Sequence, residues 1–230
     1  MMKKAILGLA VAAALMPTMA SAEAGDWVVR VRAAYVEANE DSKLGKLVNQ
    51  NVLAGAMSPG AELKVDSNTL PELDISYYFT KNIAAELILA TGSKHDVKVI
   101  KDSVGTVPNQ LLGTVDVLPP TLTVQWHFNP DATFDQYVGA GINYTFMLDR
   151  NLNVRQGPLA GTKIKIDRDS WGPALQAGFD VNLKDGWLIN ADVKYIWMDT
   201  DVKLKTGGWT KIDSLDINPW VIGIGVGKKF

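Results

Sequence analysis

Hydrophobic and polar residues alternate with a period of two along Thr121–Leu148. In Thr121–Phe128 the large apolar side chains all fall on one parity. After a break at 129–131, Tyr137–Leu148 alternates again, with one face made of Val138, Ala140, Ile142, Tyr144, Phe146 and Leu148. This period is typical of β-strands with an apolar environment on one side and a polar one on the other.

The same alternation recurs along the rest of the chain and predicts eight strands in total: Asp26–Val36, Leu70–Phe79, Ile83–Ser93, Thr121–Phe128, Tyr137–Leu148, Arg168–Val181, Trp187–Met198 and Ser214–Phe230. Long polar connections at 37–68, 94–117, 149–167 and 199–213 alternate with short ones, such as 184–186, where Gly186 suits a positive φ. An even number of strands joined in this way predicts an all-β fold, an eight-stranded antiparallel transmembrane β-barrel with short periplasmic turns and longer extracellular loops.

Charges and aromatic rings within these strands fall on opposite faces. The charged residues of the strand interiors share the non-aromatic parity: Arg30, Arg32, Asp74, Glu86, Asp180, Asp192 and Lys194. An Arg or Lys facing lipid near the midplane would cost roughly 2–4 kcal/mol, so we expect the aromatic face to contact lipid. Rings at both ends of the predicted strands suit interfacial belts. A soluble lipocalin-like barrel with its apolar parity inside is the alternative.

The N-terminus has the features of a secretory signal peptide. Lys3 and Lys4 precede an apolar run, Ala5–Met16, and a small-residue cleavage site at Ala20-Ser21-Ala22. We therefore expect residues 1–22 to be removed after Ala22, and residues 23–230 to form one barrel domain in the outer membrane of a Gram-negative bacterium. Helical spans are not expected, because no later window holds about eighteen uninterrupted apolar residues.

Composition narrows the possible functions. Charged residues make up 21% of the 230 positions, and there is no cysteine, so no disulfide or thiolate site exists. Without residues 1–22 the chain has 21 basic and 25 acidic residues, a formal net charge of −4. A mildly acidic exported protein gives no support for nucleic-acid binding.

Five motifs in this order resemble the OmpW family of small outer-membrane barrels, which includes the AlkL-type hydrocarbon-uptake proteins. They are Leu118-Pro119-Pro120-Thr121-Leu122, Gln125-Trp126, Tyr137–Tyr144, Asp169-Ser170-Trp171-Gly172 and Asn218-Pro219-Trp220. The resemblance covers essentially the whole chain after residue 22.

The resemblance implies a passive channel for small hydrophobic molecules, open at the outside and closed toward the periplasm. It implies outer-membrane lipids and small hydrophobic solutes as partners, the barrel-assembly machinery during biogenesis, and no cofactor. The terminal Phe230 fits a barrel-assembly substrate, although Lys228 stands where such tails usually carry an aromatic residue.

Sorted by height, the inward parity divides into two zones. The charged residues Arg30, Arg32, Asp74, Glu86, Asp180, Asp192 and Lys194 lie low and predict a periplasmic plug, because confined charges must pair. The higher residues predict an apolar substrate channel: Val36, Ile88, Ala90, Met147, Ile196, Met198, Ile217 and Val221. Ordinary filling of a narrow barrel interior is the alternative interpretation.

Cargo stopped by such a plug must leave sideways into the bilayer. A lateral opening requires missing ladder hydrogen bonds, which proline provides. Pro119 and Pro120 at the top of the fourth predicted strand, and Pro173 inside the sixth, are the candidates. For Pro173, a bulge that only bends the strand is the alternative.

Two other classes of function remain open. An enzyme would need His95 or His127, the only histidines, beside a nucleophile such as serine and an acid. A metal site at His95-Asp96 would rest on a single adjacent pair, and we expect neither a metal nor catalytic residues. A structural or surface-interaction barrel, with loops 37–68 and 94–117 contacting a partner, is the main alternative to transport.

Overall fold

A computed structural model describes residues 23–107, 109–157 and 160–230. The predicted signal peptide, residues 1–22, lies outside the described residues. None of the helices within the described ranges is long and apolar enough to span a bilayer.

The described residues form fifteen strands and one α-helix. In chain order these are β1 (Trp27–Glu37), α1 (Leu44–Asn51), β2 (Glu62–Val65), β3 (Asn68–Tyr78), β4 (Ile83–Ala90), β5 (Ser93–Ile100), β6 (Gln110–Leu118), β7 (Thr121–His127), β8 (Phe134–Met147), β9 (Asn151–Asn153), β10 (Lys163–Ile166), β11 (Asp169–Asn182), β12 (Trp187–Ile196), β13 (Asp199–Thr206), β14 (Gly208–Asp216) and β15 (Trp220–Lys229).

Eight of these strands close into an antiparallel barrel. Around the wall the order is β1, β3, β4, β7, β8, β11, β12 and β15, which pairs back to β1. The predicted eight-stranded barrel is therefore confirmed. The short turn at 184–186 has Gly186 at φ +77°, as expected for a residue that needs a positive φ.

The outer wall of the barrel is apolar and ringed by aromatic side chains. Val31, Leu122 and Ile224 are each more than half exposed. At one end the Tyr77 ring packs against Trp27 and Phe79, and at the other the Tyr195 ring packs against Trp197 and Trp220, with ring centroids 4.7–5.1 Å apart. The lipocalin-like alternative is wrong, because the charged parity is the one that faces inward.

The four segments predicted as long loops contain regular structure. They hold α1 together with β2, β5, β6, β9, β10, β13 and β14. These strands are short and their alternation is interrupted by Gly and Asp residues, so the pattern is weak. The eighth predicted strand, Ser214–Phe230, is also two strands, because Asn218 adopts φ +38° and Pro219 has no N–H to donate.

These extra elements extend the structure above the barrel wall. β6 pairs with the top of β8, and β5 and β2 follow it. β9, β10, β13 and β14 form a second sheet. Together with α1 they enclose an apolar cluster that includes Leu44, Val48, Leu63, Leu112 and Ile164, all buried. The extracellular part of the protein therefore has a hydrophobic core of its own.

The lower half of the barrel interior holds one connected network of buried charges. Arg30 contacts Glu86 at 2.8 Å and Asp180 at 2.6 Å. Arg32 contacts Asp192 at 2.6 Å, and Lys194 contacts Glu72 at 2.8 Å. All seven residues predicted for the plug are buried and belong to this network.

Inward-facing glycines on β15 leave room for the network. Gly227 pairs with Arg30, and a Cβ there would lie 2.8 Å from Arg30 Cγ. A Cβ on Gly223 would lie 2.6 Å from an Asp192 carboxylate oxygen. The two arginines can therefore lie across the lumen only because this strand carries no side chains at those positions.

Glu86 and Asp74 differ in how well the network satisfies them. Glu86 accepts hydrogen bonds from Arg30, Ser76, Gln125 and Gln176 at 2.8–2.9 Å. Asp74 lies 3.0 Å from Arg32 Nε, outside hydrogen-bond geometry, and has no other partner among the described residues. Glu86 is therefore the centre of the network, and Asp74 lies at its margin.

Asp102 joins two extracellular connections. Its carboxylate accepts hydrogen bonds from the N–H groups of Ser58, Val104 and Thr106 and from the Thr106 hydroxyl, at 2.7–3.1 Å. Burial by itself raises the pKa of Asp102, but these donors more than offset it and lower the pKa to about 2.

Glu86→Gln should destabilise the barrel far more than Asp74→Asn. Leaving two arginines without their shared carboxylate should lower the free energy of unfolding by about 3–5 kcal/mol, whereas the Asp74 variant should change it by less than about 1 kcal/mol. Urea unfolding of the reconstituted protein, followed by tryptophan fluorescence, measures both values. Equal decreases in the free energy of unfolding for the two variants would contradict the central position of Glu86.

The Asp102 carboxylate should stabilise the extracellular connections in a pH-dependent way. Because its folded pKa is lowered, its contribution is complete above pH 4 and is lost as the pH falls toward 2. Asp102→Asn should weaken hydrogen-exchange protection of the 58 and 104–106 amides roughly tenfold at pH 7, and should abolish the change between pH 4 and 2. If Asp102→Asn kept the wild-type change in hydrogen-exchange protection between pH 4 and 2, the Asp102 carboxylate would not be its cause.

Candidate functional site

A narrow apolar cavity of about 100 Å³ lies directly above the charged network. Its walls come from the upper ends of the barrel strands and from the extracellular strands. All eight residues predicted to form the apolar channel line it: Val36, Ile88, Ala90, Met147, Ile196, Met198, Ile217 and Val221.

The upper part of the lining comes mainly from the four segments predicted as long connections. Those residues are Leu63, Val65, His95, Val97, Leu112, Val115, Val117, Leu152, Ile166 and Val202. Ser93 and Leu215, at the ends of predicted strands, also line it. Alternation along β5, with Ser93, His95, Val97 and Val99 buried, was a usable signal. The signal is hard to recognise because the first two inward-facing residues of β5, Ser93 and His95, are polar.

The floor of the cavity is polar and internally paired. Glu72 and Lys194 line it and bind each other at 2.8 Å. Thr121 and Thr145 also line it, and each hydroxyl bonds to the Asn143 side chain, at 2.8 and 2.7 Å. The boundary between the apolar cavity and the charged network is therefore a single layer of residues.

The upper end of the cavity meets the extracellular apolar cluster. A second cavity of about 20 Å³ shares Leu63 and Leu112 with the first and is lined by Leu44 and Val48 of α1. The two cavities follow one another away from the charged network. Mostly apolar side chains therefore line the interior from the layer above Lys194 up to α1.

Pro119 and Pro120 lie where one ladder of the barrel ends. β4 pairs with β7 only from Ile83↔Trp126 to Ile88↔Thr121. Above this point, Pro119 lines the cavity, and the N–H of Tyr144 on β8 donates to the Pro120 carbonyl at 3.0 Å. The prolines are thus held on the β8 side, while Leu89 and Ala90 of β4 pair with β3 and have no ladder partner on the β7 side among the described residues.

Pro173 lies on the outer face of β11 and is exposed. The β8–β11 ladder runs through it, with Pro173 opposite Ile142. On its other side the β11–β12 ladder ends at Ala174↔Ile196, and Trp197 N–H then donates to the Pro173 carbonyl at 3.0 Å. Pro173 does not line the cavity.

The two histidines lie in different parts of the interior. His95 Nε2 lies 2.8 Å from Ser93 Oγ, and its Nδ1 lies 2.8 Å from the Asp66 carbonyl oxygen. The serine required by the enzyme hypothesis is therefore present, but a backbone carbonyl occupies the place of the acid. His95 and Asp96 point to opposite faces of β5, so they do not form a joint metal site.

At the lower end of the barrel, His127, Asp135 and Asp180 bring ligand atoms within 4.8 Å of one another. Their atoms already have partners: His127 Nδ1 contacts Asp135 at 2.7 Å, and Asp180 contacts Arg30 at 2.6 Å and Asn190 at 2.7 Å. These contacts continue the charged network downward. The sequence gives no indication of this cluster, because its members come from three separate strands, β7, β8 and β11.

Comparisons with known proteins agree with this architecture. The model of the OmpW family matches residues 23–230. Outer membrane protein W of Vibrio cholerae serotype O1 is 40% identical, with full coverage of both chains. Outer membrane protein AlkL of Ectopseudomonas oleovorans is 29% identical, over 90% of this chain and 83% of its own length.

A solved structure gives the same result. The outer membrane protein OprG from Pseudomonas aeruginosa superposes with a TM-score of 0.75 at 30% identity, over 91% of this chain and 98% of OprG. The apolar outer wall and the buried charges are explained by an outer-membrane location in a Gram-negative bacterium. The chain belongs to the OmpW family of outer-membrane β-barrels.

Proposed function

We propose that the protein is a channel for the passive uptake of small hydrophobic molecules. Cargo enters the apolar cavity from the outside and leaves laterally into the membrane above the charged network. The observation that carries this proposal is the position of the cavity, since its apolar walls end directly on the paired charges around Lys194.

The cavity wall favours an apolar solute over water. Removing apolar surface from water stabilises a bound solute by roughly 25 cal/mol per Å². Water in the same space would have few hydrogen-bonding partners, because most of the lining is aliphatic. The narrow volume suits molecules that pass one at a time.

The charged network makes a direct route to the periplasm unfavourable. Arg30, Arg32 and Lys194 each bind at least two carboxylates, so an opening through the centre would separate several buried ion pairs at once. An apolar solute has no charged or polar group that could replace these ion pairs. Exit through the wall leaves the network intact.

The wall between β4 and β7 is the exit that we propose. Its ladder is the shortest in the barrel, and Pro119 and Pro120 cannot donate hydrogen bonds to extend it toward Ala90. Because Pro119 and Ala90 both line the cavity, the exit needs no new passage through the interior. Pro173 is the second candidate, at the top of the β11–β12 ladder.

The same proposal covers the remaining partners. The apolar outer wall contacts outer-membrane lipids, and we infer that the barrel-assembly machinery recognises β15, where the terminal Phe230 is 70% exposed.

No catalytic role is assigned to any residue. A surface-interaction barrel is the alternative function, with connections 37–68 and 94–117 contacting a partner, and the regular structure of these connections, α1 with β2, β5 and β6, is the observation that favours it.

Filling the cavity should lower uptake. Ala90→Phe places a ring in the cavity, and uptake of radiolabelled naphthalene by expressing cells should fall several-fold toward the rate of cells without the protein. Leu87→Phe is the matched control, because Leu87 is on the same strand but faces lipid. Equal uptake by both variants would favour the surface-interaction alternative.

Restoring hydrogen-bond donors at the proposed exit should also slow uptake. The Pro119→Val/Pro120→Val variant can extend the β4–β7 ladder, so naphthalene uptake should fall while the barrel remains folded on semi-native gels. Pro173→Val tests the second candidate in the same assay. If only Pro173→Val reduces uptake, the exit lies at β11–β12; if neither does, lateral exit at these prolines is refuted.

A further inference from the structure

One polar pair interrupts the apolar wall of the cavity above its floor. Ser93 and His95 are two residues apart on β5 and share its inward face. Ser93 is 2% exposed and His95 is 8% exposed, and both line the cavity. Their neighbours on the lining at this level are Val65, Val97 and Val115.

In the neutral form of His95, the hydrogen bonds of this pair determine which ring nitrogen carries the hydrogen and which group donates between Ser93 and His95. The Asp66 carbonyl can only accept, so His95 Nδ1, 2.8 Å away, carries the hydrogen. Nε2 is then an acceptor, and the Ser93 hydroxyl, 2.8 Å away, donates to it. Ser93 Oγ therefore keeps its lone pairs available, and no other described group bonds to that oxygen.

The other polar side chains of the cavity are directed toward the barrel wall or the floor. Thr121 and Thr145 bind Asn143, Thr200 accepts a hydrogen bond from the Asp167 N–H, and Lys194 pairs with Glu72. Within the described ranges, Ser93 and His95 instead bond only to each other and to one backbone carbonyl. Such an acceptor in an otherwise apolar cavity is what a single polar group on an apolar solute requires.

We propose that the Ser93–His95 pair is a recognition site for a hydroxyl group on the cargo. The O–H of an aliphatic alcohol or a phenol donates to Ser93 Oγ, while its hydrocarbon part contacts the aliphatic wall. Alkanes and ethers still enter, because the pair is already satisfied by its own hydrogen bonds. This assignment rests on the proposed uptake function and names the cargo class that it favours.

The test compares two isomers that differ only in donor capacity, octan-1-ol and 1-methoxyheptane. Each displaces naphthalene from the full mature chain in phosphatidylcholine nanodiscs, with empty nanodiscs correcting for partition into lipid. The wild-type protein should bind the alcohol about 3- to 10-fold more tightly than the ether, the range that one net hydrogen bond provides.

Two variants test whether the preference for the alcohol over the ether depends on Ser93 and His95. Ser93→Ala/His95→Phe removes both polar groups, so the ratio of the two affinities should fall to about 1 while naphthalene still binds. Ser93→Thr keeps the hydroxyl on a β-branched residue that suits a strand, and it should retain the preference.

A ratio near 1 in the wild type, or a preference that survives in the double variant, would overturn the hydroxyl site and leave the uptake function standing. If naphthalene does not bind the wild-type protein at all, the uptake function fails and the hydroxyl site fails with it.

Discussion

The structure depends on the need to neutralise charge inside a closed wall that is surrounded by lipid. Arg30 and Arg32 cannot face the bilayer, and inside a narrow barrel they have no bulk water, so each needs carboxylates from the other strands. These contacts fill the lower half of the lumen. Because they are confined to that half, the upper half is free to be apolar.

This division between the two halves is the basis of the proposed uptake function. The network supplies a floor, the aliphatic residues above it supply a cavity, and the extracellular strands continue its walls beyond the membrane. A barrel with paired charges along its whole length would be closed throughout. A barrel filled with aliphatic side chains throughout would carry nothing.

Much of this arrangement follows from the period-two pattern of the sequence. Parity alone assigns Arg30, Asp74 and Lys194 to the interior, and height along each strand separates them from Ile88 and Val221. The extracellular half could not be predicted in the same way. Its strands are short, and the inward-facing residues of β5 begin with the polar Ser93 and His95, of which His95 is held by the Asp66 carbonyl, 29 positions earlier in the chain.

The glycines of β15 have a consequence for how the chain completes its circle. β1 and β15 are the first and last strands, and their pairing sets Arg30 against Gly227 and Arg32 against Gly225. In the closed barrel both guanidinium groups therefore cross the side-chain-free backbone of β15 to reach their carboxylates. Pairing β1 with β15 and burying the two arginine charges are therefore linked. An intermediate in which these two strands were not yet paired would hold Arg30 and Arg32 at the open edge of β1.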